Sequence, residues 1–178
     1  MEHELEECRY RELECPGCKE KFEAFTLPEH FKICLELVFR EYWMNIKLDE
    51  TQIVWFSSSP IETRQPRVFK LKTSENWFLL CADVIEDKMV FYLKHYSGEG
   101  TKETFSYNLK VSDVGNKFSR SMSGVCTPLS MEIEVARRNG FTLDVSVEVM
   151  QNVCYLPNTD HNDKYKWDID ICLFKTES

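Results

Sequence analysis

The pattern Cys15-Pro-Gly-Cys18, eleven residues, then His30-Phe-Lys-Ile-Cys34 constrains this chain more than any other feature. Two thiols across Pro16-Gly17 can turn both sulfurs to one side of a tight knuckle, and a His/Cys pair four apart shares one helix face. Leu27-Pro28 suits the opening of that helix, because proline is tolerated in a first turn. Three thiolates and an imidazole form a soft tetrahedral donor set for Zn2+, with Cys15, Cys18, His30 and Cys34 as ligands. Four protein donors leave no open position, so the expected role is structural. The alternative is a set of ordinary buried thiols with a surface histidine. Phe22 and Phe25, between the pairs, are placed to form a small core over the metal. A segment this short buries too little apolar surface to fold alone, and the metal supplies the missing stability. A second pair, His3 and Cys8, has no Cys-x-x-Cys before it. It reads either as the trailing half of another finger or as two unconnected side chains.

The remaining cysteines, Cys81, Cys126, Cys154 and Cys172, are scattered singly, which favours buried thiols over ligands. Texture also changes along the chain. The first 36 residues carry ten acids and five bases with few β-branched residues. From about Tyr42 onward, short apolar runs alternate with polar turns, which puts a boundary near residues 36–42, with the two parts abutting. The expected organisation is a zinc finger over 1–38 and a β domain over 39–178.

The second part reads mainly as strands. Phe141-Thr-Leu-Asp-Val-Ser-Val-Glu-Val149 alternates without a break, and Trp167, Ile169, Ile171 and Leu173 share one face of another strand. Runs at 53–56, 68–71, 77–82, 89–93 and 105–111 add five candidates. Turn signals at Ser57–Pro60, Glu86-Asp87, Ser97–Gly100 and Asp113–Asn116 separate them. Seven or eight such strands without interleaved long helices predict a mainly β fold, an antiparallel sandwich or barrel. The stretch 130–138 reads equally as a strand of a hairpin or as a short helix with Asn139-Gly140 as its stop.

Charge and motifs exclude several functions. A net charge of −8, from 30 acidic and 22 basic residues, opposes binding to nucleic acid and to anionic membranes. The finger helix shows Glu29, Lys32 and Glu36 rather than the Arg, Lys, Asn or Gln array that groove reading needs, so a zinc-finger nucleic-acid binder is an unfavoured alternative. No run reaches 18 apolar residues, so no membrane span is expected. The acidic start Met1-Glu2-His3-Glu4 is unlike a signal peptide, which predicts a soluble protein of the cytoplasm or nucleus. His95 and His161 belong to no nucleophilic motif. Asp160, Asp163, Asp168 and Asp170 fail the calcium-loop pattern, with Tyr165 where glycine is required. Asp168 and Asp170 read instead as the solvent face of the last strand.

On these motifs the chain resembles the seven-in-absentia (SINA) family of ubiquitin ligases over nearly its whole length. Cys8-Arg-Tyr-Arg-Glu-Leu-Glu-Cys15-Pro-Gly looks like the junction between that family's two fingers. Ile53–Phe56, Trp77–Leu80, Glu103–Leu109 and Asn139–Val145 match the order of its strands. The resemblance implies a TRAF-like β-sandwich that binds protein or peptide substrates and dimerises, and a helix over 130–138. The departures are equally informative. The RING that holds the charged ubiquitin-conjugating enzyme has no counterpart among these residues, and the first finger keeps only His3 and Cys8. Cys34 stands where the family often uses histidine. Pro66-Arg-Val-Phe-Lys-Leu71 replaces the usual groove segment. The resemblance therefore implies an interaction module that recruits proteins for ubiquitin-dependent degradation or modulates a complete SINA ligase, with no catalytic residues and no ligase activity of its own. The alternative is a fragment of a complete RING-bearing ligase. Tyr92, Tyr107, Tyr165 and Phe174 are candidates for a homodimer surface, against a monomer in which they cap the sandwich ends.

Overall fold

A computed structural model describes residues 10–15, 18–31, 33, 44–46, 51–58, 67–71, 76–96, 103–113, 117–156 and 164–176. His3, Cys8, Cys34, His161, Asp160, Asp163, Pro66 and the expected boundary at 36–42 lie outside them, as does the side chain of Tyr165.

The chain is mainly β. A small hairpin, β1 (Glu12–Glu14) and β2 (Lys21–Glu23), leads into a 3-10 turn, Ala24–Thr26, and residues 27–31 continue as helix. β3 (Met44–Ile46), β4 (Thr51–Ser58), β5 (Arg67–Leu71), β6 (Trp77–Ile85) and β7 (Lys88–Tyr96) follow. β8 (Thr104–Asp113), β9 (Ser119–Val125), β10 (Thr127–Pro128), β11 (Leu143–Ser146), β12 (Tyr155–Leu156) and β13 (Lys164–Thr176) complete the strands. One sheet runs β10-β7-β6-β5-β3, with β11 on β7; the other runs β12-β13-β8-β9, with β4 on β13. Pairing is antiparallel apart from β10 with β7 and β3 with β5, which are parallel and depart from the all-antiparallel expectation. The turn between β6 and β7 uses the expected Glu86-Asp87, with Glu86 in the left-handed region at φ 58°.

The two sheets share one core. Phe78, Leu80, Phe91 and Leu93 from β6 and β7 meet Phe105, Tyr107, Leu109, Ile169, Ile171 and Leu173 from β8 and β13. Ile169, Ile171 and Leu173 are buried as their alternation predicts. Asp170 is half-buried beside Lys110 Nζ at 3.6 Å. Tyr107 lies wholly inside the core, where its hydroxyl donates to the Phe141 carbonyl at 2.8 Å, so it offers nothing to a dimer surface.

Two segments refine the sequence reading. The uninterrupted strand expected over 141–149 stops at Ser146, and Val147–Cys154 is helical. Met150 from that helix is buried in the shared core. Val147 and Met150 fit a 3.6-residue period as well as Val147 and Val149 fit a two-residue one, and core contact selects the helix. The other stretch, read both ways, is the helix Ile133–Arg138, ending where Asn139-Gly140 follows; Gly140 takes φ +73°. Arg137 pairs there with Asp144 at 2.9 Å.

β6 breaks the alternation expected of a half-buried strand, since Trp77, Phe78, Leu79, Leu80, Cys81 and Ala82 are all buried. Its even-numbered residues enter the shared core. Trp77, Leu79 and Cys81, with Val90, Tyr92 and Tyr96 of β7, face the other way and pack against Leu13, Cys15, Ala24, Leu27 and Phe31. The N-terminal unit therefore covers the outer face of the first sheet, and a strand covered on both faces is a continuous apolar run. Tyr92 is accounted for by this cover and is also unavailable to a dimer surface; Phe174 is half-buried. Among the described residues no helix is long and apolar enough to cross a membrane.

Candidate metal centre

The hairpin β1–β2 is closed by a knuckle. Lys19 N–H donates to the Cys15 carbonyl and Cys15 N–H donates to the Glu20 carbonyl, both at 2.8 Å. Closing the turn this tightly puts Lys19 at φ 66°, a left-handed conformation that side-chain-bearing residues rarely adopt. The knuckle carries Cys15 and Cys18, and the helical turn opened by Leu27-Pro28 carries His30.

These three residues converge. The ligand atoms of Cys15, Cys18 and His30 all lie within 4.8 Å of one another. Cys18 Sγ is 3.3 Å from His30 Nε2. For Zn–S near 2.3 Å and Zn–N near 2.0 Å, tetrahedral ligands sit about 3.5 to 3.8 Å apart, so the observed spacing fits one metal ion among the three donors. No other group of three or more His, Cys, Asp or Glu side chains among the described residues clusters in this way. Cys34 lies outside the described residues, so three of the four expected ligands are placed together.

The surroundings suit ligation. Cys15 is completely buried, Cys18 is exposed, and His30 is half-buried. The imidazole stacks on Phe22 with ring centroids 3.7 Å apart and planes at 26°. Burial lowers the pKa of His30, partly opposed by the Glu20 carboxylate, and the neutral imidazole is the form that binds a metal. Phe25 departs from the expected role over the metal. It is exposed and meets Tyr10 edge-on at 5.6 Å.

Elsewhere, Cys81, Cys126 and Cys172 are buried thiols, and the side chain of Cys154 lies outside the described residues. Burial pushes Cys81 up to about 12 and raises Cys126 as well. One network escaped the sequence reading. His95 Nε2 meets Asn76 Oδ1 at 2.8 Å, Asn76 Nδ2 donates to Glu103 Oε2 at 2.7 Å, and Lys175 Nζ donates to Glu103 Oε1. It ties β7 to β13 across the end of the two sheets, and nothing in local spacing signals it, because its members come from four separate segments.

No family model matches the chain, and no curated protein matches it in sequence.

Proposed function

We propose that this chain is a zinc-organised protein-interaction module resembling the substrate-recognition part of SINA-type ubiquitin ligases. The observation that carries the reading is the convergence of two thiols and an imidazole on a hairpin–helix unit seated against a sheet. Zinc would be held by Cys15, Cys18 and His30, with Cys34 as the fourth ligand expected from spacing. Bound there, zinc supplies structural cross-linking rather than chemistry on a substrate. Cys15 anchors the site in the apolar interface, Phe22 holds the His30 ring flat, and the Lys19 turn presents Cys18.

The fold of the larger part is, in this reading, a TRAF-like sandwich, supported by its two facing sheets and its helix before Asn139-Gly140. The interaction surface is the edge strand β9, whose strand partner in the second sheet is β8. Ser119, Arg120, Ser121, Ser123 and Val125 are exposed along it, and no proline or acidic residue blocks main-chain pairing with an extended peptide. The module would recruit proteins to, or modulate, a complete SINA-family ligase.

Elemental analysis of the purified chain should find one zinc per chain, reduced by Cys15→Ser. The chain should be inactive with ubiquitin, activating enzyme and conjugating enzyme alone, and should alter substrate ubiquitination when added to a complete SINA ligase. Absence of zinc, or robust autoubiquitination by the chain itself, overturns the reading.

A further inference from the structure

We infer that the N-terminal finger is a metal-dependent cover over the outer face of the first sheet: without its metal it undocks, leaving the two-sheet body folded and that face open. The inference rests on the zinc reading above and concerns what the metal controls.

The finger has little of its own to hold it. Among the described residues its regular structure is two three-residue strands and a short helical stretch. Two of its ion pairs, Lys19 with Glu14 and Lys21 with Glu12, are exposed at 3.9 and 4.0 Å and contribute little. A unit this small needs a metal or a partner surface to stay folded. Here the two supports share one residue. Cys15 offers its sulfur to the metal site and is also wholly buried in the apolar contact with the sheet. Leu13, Leu27 and Phe31 reach the sheet only while the hairpin and the helical turn are held together, and those are the two elements the metal ligands join.

The sheet, in contrast, does not depend on the finger. None of the finger's described residues belongs to the core between the sheets. On the outer face, the polar groups of Tyr92 and Lys94 are satisfied within the body: Tyr92 donates to Asp83 Oδ2 at 2.7 Å, and Lys94 donates to the Leu129 and Met131 carbonyls at 3.0 and 2.9 Å. Tyr96 makes a crossing bond, donating to the Ala24 carbonyl. Undocking therefore removes apolar cover from Trp77, Leu79, Val90, Tyr92 and Tyr96 while leaving the strand network intact.

Trp77 is a built-in reporter, 1% exposed and 6.0 Å from the Phe31 ring. The experiment uses the full chain under reducing conditions, with zinc measured before and after a chelator. Far-UV circular dichroism, Trp emission, acrylamide quenching and binding of an apolar dye are followed, and Trp77→Phe assigns the emission change. The expected result is a red shift and a severalfold rise in quenching that are lost in Trp77→Phe, a gain in dye binding, little change in strand signal, and reversal on adding zinc. Zinc that leaves without altering Trp77 emission or quenching overturns the cover and leaves the metal reading standing. Collapse of the strand signal on chelation also overturns it, because the body would then depend on the metal. A chain that binds no zinc fails the metal reading itself, and the cover with it.

Discussion

His95 makes this protein's stability depend on pH in a calculable way. Its ring lies against Phe78 at 4.9 Å with planes at 18° and meets Phe105 edge-on at 4.8 Å. Asn76, itself buried, spends its amide N–H on Glu103, so its Oδ1 must accept from His95 Nε2–H. That fixes the neutral tautomer. Burial drives the pKa down to about 4 from 6.5, with the Glu103 carboxylate opposing weakly because it is already paired with Lys175. The unfolded chain thus binds a proton between pH 6.5 and 4 that the folded chain refuses. The contribution is complete above pH 6.5 and is lost as pH falls through that window. Between pH 7 and pH 5 the loss is on the order of 2 kcal/mol, less whatever water reaches the partly open ring. Urea unfolding of the wild type and of His95→Gln at both pH values isolates it, since the other histidines cancel in the difference. Glutamine keeps a donor toward Asn76 but cannot titrate. The variant should lose correspondingly less stability between pH 7 and 5, and an unchanged loss would refute the argument that burial holds His95 neutral.

Two further outcomes test the packing. Gly124 lies opposite Tyr107 in the β8–β9 pair, and a Cβ there would sit 2.8 Å from Met122 Cε and 3.1 Å from Tyr107 Cζ. The methionine can move but the tyrosine is pinned by its bond to Phe141, so Gly124→Ala should cost about 1 to 3 kcal/mol in denaturant unfolding, and Tyr107→Leu should relieve part of that cost. With metal bound, Cys81 and Cys126, whose burial disfavours the thiolate, should resist a thiol reagent at pH 8. Cys126 should yield only to denaturant, whereas Cys81 on the covered outer face should also yield to metal removal. Cys18, exposed, should react once metal is removed, and rapid native labelling of Cys81 would show that the outer face is open even with the finger in place.

The features legible in the sequence are those whose meaning is local. A Cys-x-x-Cys knuckle and a histidine on a proline-opened helical turn carry their geometry in their spacing, and Cys15, Cys18 and His30 do meet. Ile169, Ile171 and Leu173 alternate because a strand with one face in a core must alternate. Phe141–Val149 reads as one unbroken strand by its alternation, and that expectation fails after Ser146, because its last residues satisfy a helix period as well. Burial of Met150 decides for helix after Ser146, and that burial depends on strands distant in sequence.

Tertiary structure alone decided what lies on the second face of β6. Composition marks Trp77–Ala82 as apolar, but only the docked finger explains why Trp77, Leu79 and Cys81 are buried as deeply as Phe78 and Leu80. The same contact removes Tyr92 from the surface, and the core between the sheets removes Tyr107, although both look like interface residues by register. The His95–Asn76–Glu103–Lys175 network is also invisible in one dimension, because each member acquires its partner from another strand end. Spacing determines which donors can share an ion or a face. Burial is a property of what arrives from elsewhere in the chain, and no local pattern contains it.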